Sequence, residues 1–378
     1  MRKYGADAGI VISASHNPME FNGIKIFKGD GYKLPDEVEN RIEAHIFKNC
    51  EDIKICDGAE IGRVHRLDTA VDDYVDALEQ HIDADLSGLN VLFDCANGAS
   101  AKVAQKLFPR LGCQCSFTGT LDDGVSVNDG CGSTHLDRLE KKVVEGGFDC
   151  GIAFDGDADR LGVVTRSGNI IYPDRQMMLF AEDILKHHPG AQIIYDVKCT
   201  RALVPWIRER GGVPTISATG HSLVKARLRE TGAPFAGEMS GHLFFNDGRW
   251  PGFDDGLYAA ARLLEIVSRS DNPSAVLDAL PTAVNTPELH IEFSKEGENK
   301  AFIEKLRQAA KFDDAEDVIL IDGLRVEFKD GFALARSSNT TPVAVIRVEG
   351  DTPEALERIK ERFAAFILSV DPTVKLPF

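Results

Sequence analysis

The chain has 378 residues, 43% of them hydrophobic, too many for one ordinary core, so two to four domains are expected. Its 60 acidic and 43 basic residues give a formal charge of −17, which argues against nucleic acid or an anionic membrane as the main partner. A phosphorylated substrate stays open, because a few Lys and Arg in one cleft invert the local field.

Eight cysteines are scattered without a C-x-x-C pair. The one close pair, Cys113 and Cys115, reads as neither a metal site nor a disulfide framework, so reduced thiols and a cytoplasmic location are expected. No apolar run approaches the roughly 20 residues of a membrane span, and no secretory signal opens the chain. A monomer is the default expectation for the oligomeric state.

In chain order, Arg2-Lys3-Tyr4-Gly5 reads as the last turn of a helix, with cations at its C-terminal end and Gly just past it. The run Ala8 to Ser13 then reads as a buried strand. Helical spacing follows at Val38, Ile42 and Ile46 after Pro35. It recurs at Val71, Tyr74, Val75, Leu78 and Ile82 after Asp68, an expected N-cap. Leu89 to Phe93 is a predicted strand closed by the turn Asn97-Gly98. Cys150 to Phe154 and Leu161 to Val164 are strands flanking an acidic loop, and Ile193 to Val197 and Thr215 to Ala218 are strands each followed by a helix. This alternation predicts parallel α/β layers. After about residue 281 the texture changes. Helices near 298–311 and 353–368 are interleaved with strands Leu289–Phe293, Val318–Ile321, Leu324–Phe328, Phe332–Arg336 and Ala344–Val348, joined by Asp-Gly turns. That is an antiparallel α+β module. The expected domains are 1–65, 66–168, 169–281 and 282–378.

Four polar loops follow strands: S-A-S-H-N-P (13–18), D-G-D-A-D-R (155–160), G-E-M-S-G-H (237–242) and R-S-S-N-T-T-P (336–342). Strand ends are where open α/β sheets bind ligands. Asp155, Asp157 and Asp159 alternate, so in an extended loop their carboxylates point one way and converge on a hard cation. Arg160 and Arg166 stand where a calcium loop of the EF-hand type needs Gly and Glu, which leaves Mg²⁺. A solvated acidic turn is the bland alternative. Ser15 is a candidate nucleophile or phosphoryl carrier beside the metal, or else part of an ordinary turn before Pro18. Asn17 shapes that loop and His16 is placed to assist proton movement. Lys25 alternates with Ile24 and Ile26 and points away from their face, either into the site or to solvent. Residues 237–242 suit sugar hydroxyls, and residues 336–342 suit a phosphate.

At these loops the sequence resembles the α-D-phosphohexomutase superfamily, most of all its bacterial phosphomannomutase/phosphoglucomutase branch, over essentially the whole chain. The resemblance implies three related α/β domains and a C-terminal α+β domain around a central cleft. It implies that Ser15 is the phosphorylated serine and that Ser15, Asp155, Asp157 and Asp159 hold Mg²⁺. Lys25 and Arg160 match the family's catalytic basic residues, and His16 accompanies the serine. Lys198, Gly220 and His221 match substrate contacts. Glu238, Ser240 and His242 match the loop that reads sugar hydroxyls, and Arg336, Ser338, Asn339, Thr340 and Arg347 match the phosphate-binding region. The implied reaction interconverts hexose 1-phosphate and hexose 6-phosphate through a phosphoserine and a hexose 1,6-bisphosphate. In it Lys25 accepts a proton if Mg²⁺ and Arg160 lower its pKa.

Phosphoglucosamine mutases carry Gln where Met239 stands and R-x-S-G-T-E-P where this chain has R-S-S-N-T-T-P. Both departures favour mannose and glucose phosphates, whereas S-A-S-H-N-P itself is nearer the phosphoglucosamine pattern. Two other classes remain: a metal-dependent phosphatase sharing the acidic loop, and a non-catalytic phosphosugar-binding fragment. The second arises because family members carry roughly a hundred more residues ahead of the serine loop, about one α/β domain. A truncation, or a gene start placed at an internal Met, is the expectation here. Reduced or absent mutase turnover with folded later domains is therefore expected of a chain starting at Met1, and full turnover by that purified chain would refute it.

Overall fold

The computed structural model describes residues 1–338 and 341–378. A short helical turn, Arg2–Tyr4, ends at Gly5 in the left-handed region (φ 62°), as the cation-then-glycine pattern predicts. β1 (Ala8–Ile12) pairs antiparallel with β2 (Ile24–Lys28), Ile10 opposite Ile26 and Ile12 opposite Ile24, and α1 (Asp36–Phe47) follows. The expected burial of this strand is not met: Ile10, Ile12 and Ile24 are each more than 60% exposed. The ribbon has two strands, and no further strand pairs with it among the described residues. It is tied to the rest of the chain at its ends. Lys3 and Tyr4 both reach Asp73, and Tyr32 packs on Phe253 and donates to the Pro251 carbonyl.

The next two sections share one plan. The second runs α2 (Ala70–Glu79), β3 (Asn90–Asp94), α3 (Ser100–Arg110), β4 (Gln114–Thr118), α4 (Asp137–Gly146), β5 (Cys150–Phe154) and β6 (Leu161–Thr165). Its sheet order is β4-β3-β5-β6, parallel except for the last pair. The third runs α5 (Pro173–His187), β7 (Gln192–Asp196), α6 (Leu203–Glu209), β8 (Val213–Ser217), α7 (His221–Thr231), β9 (Phe235–Gly237), β10 (Leu243–Phe245), α8 (Gly256–Val267) and α9 (Pro273–Asp278). Its order, β8-β7-β9-β10, repeats the pattern second-first-third-fourth with the same antiparallel final pair. α8 is apolar almost all round and buried on nearly every side, as a helix between two layers must be. One continuous core therefore spans both sections, from Val75 to Leu280.

The expected N-cap of α2 is corrected. Thr69 holds the cap position without a side-chain cap bond. Asp68 pairs instead with Arg66 at 3.0 Å, and Thr69 Oγ1 donates to Asp73. The turn at Asn97-Gly98 forms as expected, with Ala96 and Asn97 both at positive φ and Gly98 N donating to the Cys95 carbonyl.

The last section contains β11 (Val284–Asn285), β12 (Leu289–Glu292), α10 (Glu298–Ala309), β13 (Asp317–Ile319), β14 (Leu324–Phe328), β15 (Gly331–Ser337), β16 (Val343–Gly350) and α11 (Pro353–Val370). Every strand pair in it is antiparallel. Thr352 caps α11 by accepting from Ala355 N, with Pro353 at its first position, both favoured helix starts. Val197, Phe332 and Leu334 form a small buried seam to the third section, crossed by Arg325, which donates to the Val197 and Cys199 carbonyls. No helix is long and apolar enough to cross a membrane among the described residues.

Phe363 is wholly buried in the last core and packs on Phe312 and Phe366. Phe363→Ala is expected to destabilise this section by about 3–5 kcal/mol, measured as a lower urea midpoint with an unchanged m-value.

Candidate functional site

β5 ends in a loop that delivers Asp155 to a position with no solvent exposure. That burial rules out the solvated-turn alternative. The loop is not extended, which corrects the expected reason for convergence. Ala158 N donates to the Asp155 carbonyl at 3.1 Å, and Ala158 takes a left-handed φ of 64°. This tight turn brings Asp155, Asp157 and Asp159 together, each offering an oxygen within 4.8 Å of the others. Burial, then the charges of Asp159 and Asp157, push the Asp155 carboxyl up to about 7. Burial also raises Asp157, but hydrogen bonds and charge from Lys25, with help from Ser13, outweigh it and hold that carboxyl below its ordinary value. One oxygen of Asp157 and one of Asp159 are buried without a hydrogen-bond partner. Orphaned hard oxygens in a like-charged group fit Mg²⁺, which takes a few carboxylates and completes its shell with other oxygens.

The loop after β1 lies against this turn. Ser15 Oγ donates to Asp155 Oδ2 at 3.0 Å, and Ser13 Oγ donates to Asp157 Oδ2 at 3.1 Å while accepting Ser15 N. Ser15 sits at φ 54°, an uncommon region for a residue with a Cβ. Asn128, from the turn before α4, holds it there by donating Nδ2 to the Ser15 and Asn17 carbonyls at 2.8 and 3.1 Å. The two loops touch at Gly156, where a Cβ would stand 2.5 Å from the Ser15 carbonyl oxygen. Lys25 turns inward from β2 to Asp157 (2.6 Å) and Asp159 (3.5 Å), so the solvent alternative for it is excluded. Burial alone would lower its pKa, but Asp159 and Asp157 outweigh burial and raise it. With no ion between them, the two aspartates thus hold Lys25 as their counter-cation. His16 Nδ1 stands 3.5 Å from Ser15 Oγ, and burial, then the Arg160 charge, bring its pKa down to about 4. Arg160 N and Nε both approach Asp155.

A two-residue antiparallel bridge joins Arg160 to His242, bringing the third loop to the acidic one. Glu238, nearly inaccessible, accepts Gly220 N at 2.5 Å. Burial and the nearby Asp196 raise its carboxyl to about 7. Gly220 has φ 135° and precedes His221, whose ring stacks on that of His242 at 5.2 Å. Ser240, between Glu238 and His242 in the same loop, lines a cavity of about 290 Å³ with His135 and Tyr172.

Arg336 and Arg347 of the last section and Lys198 of the third are all buried cations. Lys198 Nζ pairs with Glu288 at 2.8 Å. Arg336 Nε donates to Asp322 Oδ2, which also accepts Thr219 N from the third section. Arg347 approaches Asp174 at 3.6 Å. One guanidinium nitrogen each of Arg336 and Arg347 is buried and unpartnered. Asn299 Nδ2 braces the loop by donating to the carbonyls of Ser338, Thr341 and Val343. Asn339 and Thr340 lie outside the described residues. Sequence reasoning missed Asn128, Asp254, Glu288, Asn299 and Asp322. Of these only Asp254, in F-D-D-G ahead of a helix, stood in a signal worth reading.

Three sections carrying hydroxyl, carboxylate and imidazole loops, with a fourth carrying buried guanidinium groups, define a phosphohexomutase class of fold. Comparison with known proteins agrees. Family models for the α/β/α domains I, II and III of phosphoglucomutase/phosphomannomutase match residues 1–52, 72–168 and 172–284, and the C-terminal domain model matches residues 294–366. The chain is 47% identical over 365 residues to a phosphoglucomutase of Neisseria gonorrhoeae, covering 96% of this chain and 78% of that one. It is 42% identical over 382 residues to a phosphomannomutase/phosphoglucomutase of Pseudomonas putida, covering 98% and 78%. The crystal structure of a phosphoglucomutase/phosphomannomutase family protein from Burkholderia thailandensis superposes with a TM-score of 0.88 at 47% identity, covering 99% and 78%. The chain belongs to the phosphoglucomutase/phosphomannomutase family, and it is an isomerase of hexose phosphates.

Gly156→Ala forces the Ser15 loop away from the three aspartates. Turnover is expected to fall about 100-fold, as for a misplacement near 1 Å, with the circular dichroism spectrum unchanged.

Proposed function

We propose that the chain interconverts the 1- and 6-phosphates of mannose and glucose, with Ser15 as the phosphoryl carrier and a hexose 1,6-bisphosphate as intermediate and activator. The observation that carries this reading is the hydrogen bond of Ser15 Oγ to Asp155 inside a cluster of three carboxylates. Ser15, Asp155, Asp157 and Asp159 would hold Mg²⁺, which when bound supplies Lewis-acid charge to the transferring group. In the forward step the bond from Ser15 Oγ to phosphorus breaks, a bond from the sugar hydroxyl oxygen to phosphorus forms, and that hydroxyl loses its proton. The return step moves the other phosphoryl group back to Ser15 Oγ. Lys25 and Arg160 offset charge on the group in flight, the dominant need in phosphoryl transfer. When Mg²⁺ and Arg160 lower its pKa, Lys25 would accept that hydroxyl proton, with His16 positioned beside Ser15 to relay it. Glu238, His221 and His242 face sugar hydroxyls, with Gly220 and Ser240 shaping that loop region. Lys198, Arg336, Ser338 and Arg347, with Asn339 and Thr340, grip the distal phosphate.

The limits 1–65, 66–168, 169–281 and 282–378 are proposed for the four domains. Eight free thiols suit a reducing cytoplasm, and the buried cations suit a phosphosugar rather than nucleic acid as partner. Met239 and the sequence R-S-S-N-T-T-P favour mannose and glucose phosphates, and glucosamine 1-phosphate is the competing substrate to assay.

Intact mass of the purified protein is expected to show one phosphoryl group, removed by Ser15→Ala, and this variant should lose at least about 10³-fold in mutase turnover. No phosphoryl group on wild-type protein, before or after hexose 1,6-bisphosphate, would overturn the carrier role. Arg336→Ala is expected to lower kcat/KM about 10- to 100-fold, the value of a charge-assisted phosphate contact. Unchanged kcat/KM with release of inorganic phosphate would instead mark a phosphatase.

A further inference from the structure

α7 opens on His221 and carries Lys225 one turn later, so both side chains leave the same face of the helix. They meet one carboxylate. Lys225 Nζ pairs with Asp254 Oδ1 at 2.8 Å, and His221 Nδ1 stands 3.4 Å from Asp254 Oδ2. From the third loop, His242 Nδ1 reaches that same Oδ2 at 3.2 Å. The two imidazole rings stack, 5.2 Å between centroids and 19° from parallel. Asp159 Oδ1 is farther from His242 Nδ1, at 3.7 Å. Each carboxylate oxygen accepts at two lone pairs, so Asp254 can hold all three groups at once. Burial would raise its carboxyl, but the Lys225 charge and then His221 and His242 hold it well below the ordinary range.

Asp254 is itself placed with little freedom. Its backbone bridges antiparallel to Phe244, two residues beyond His242. Phe253 before it packs on Tyr32. Asp255 after it caps α8 by accepting Tyr258 N at 2.9 Å and also accepts the Tyr74 hydroxyl from α2. Gly256 N donates to the Ala158 carbonyl at 2.9 Å, and a Cβ at Gly256 would stand 2.6 Å from the Arg160 carbonyl oxygen. Four consecutive residues thus touch the first section, the two histidines, α2 and the acidic loop in turn.

From this geometry we infer that Asp254 is a positioning residue for sugar recognition. By pairing with Nδ1 of both His221 and His242 it fixes the two ring planes and leaves Nε2 as the nitrogen each ring offers to a hydroxyl. Lys225 occupies the other carboxylate oxygen and keeps Oδ2 turned toward the rings. Asp254, only 9% exposed in its side chain, acts through the rings and not on the sugar. The contacts of residues 253–256 set the distance from these rings to the acidic loop. The inference rests on the reading that His221 and His242 face sugar hydroxyls.

The test is calorimetric titration of the full chain in saturating Mg²⁺ with two probes, glucose 1-phosphate and inorganic phosphate. Wild-type protein is expected to prefer glucose 1-phosphate. Asp254→Asn is expected to weaken glucose 1-phosphate at least about tenfold, the value of a hydrogen bond to a charged group, with phosphate affinity unchanged. In a chain already carrying His221→Asn and His242→Asn, adding Asp254→Asn is expected to change glucose 1-phosphate affinity by less than about twofold. A sugar preference retained in Asp254→Asn overturns the inference alone. Equal losses for both probes overturn it as well, because a general loosening of the cleft does not distinguish them. No sugar preference in wild-type protein would instead show that the sugar-facing reading has failed, and the inference falls with it. Should Asp254→Asn fail to fold, ¹⁵N spectra of wild-type protein labelled at histidine decide the question. Nδ1 of both His221 and His242 is expected to bear a proton, and a bare Nδ1 on either ring sinks the assignment.

Discussion

Three carboxylates share one turn at the end of an apolar strand, and at least one of them is fully removed from water. Like charges this close are mutually unfavourable, the more so where solvent is excluded. Most of the architecture nearby answers that one difficulty. Lys25 reaches in from the first section, the serine hydroxyls donate from the loop beside it, and Arg160 folds back onto Asp155. The positive partners come from separate segments, so the site is complete only when the sections are docked. A divalent ion is the remaining partner that the unpaired carboxylate oxygens call for.

The repeated sheet order explains why the chemistry recurs at loops. In the second and third sections the functional loop joins the third strand to the antiparallel fourth. The β1–β2 ribbon carries its serine loop between two antiparallel strands in the same manner. One structural position therefore presents a hydroxyl, a set of carboxylates and an imidazole in turn. The last section reaches the same end differently: its loop joins β15 and β16 of an antiparallel sheet, with Asn299 from a helix bracing the turn.

Much of this was legible in the sequence because strands that end in polar, glycine-bearing loops leave a local signature. The alternation of strands and helices, the change of texture after residue 281 and the convergence of Asp155, Asp157 and Asp159 could all be read locally. The cause of that convergence could not, since an alternating pattern does not reveal a left-handed Ala158. Nor could the ion pairs of Lys25 be read, because its partners, Asp157 and Asp159, lie more than 130 residues away. Asn128 and Asp322 escaped for a related reason. Each acts by bonding to backbone or side chain in another section, and nothing beside them in the chain marks them out. The exposure of Ile10, Ile12 and Ile24 does not follow from those residues alone, as apolar composition states what a strand can bury and not what lies across from it.

Ser15 and Ala158, one in each of the two touching loops, are both in the left-handed region where a residue bearing a Cβ is held at a cost of about 1–2 kcal/mol. The strain at Ala158 gives the acidic loop its tight turn, and the strain at Ser15 aims its hydroxyl. Selection for heat resistance and selection for turnover therefore pull in opposite directions at these positions. Glycine at 158 relieves the backbone and frees the loop in the same stroke, so a library screened for thermal survival alone would drift toward a sturdier protein with a slacker site.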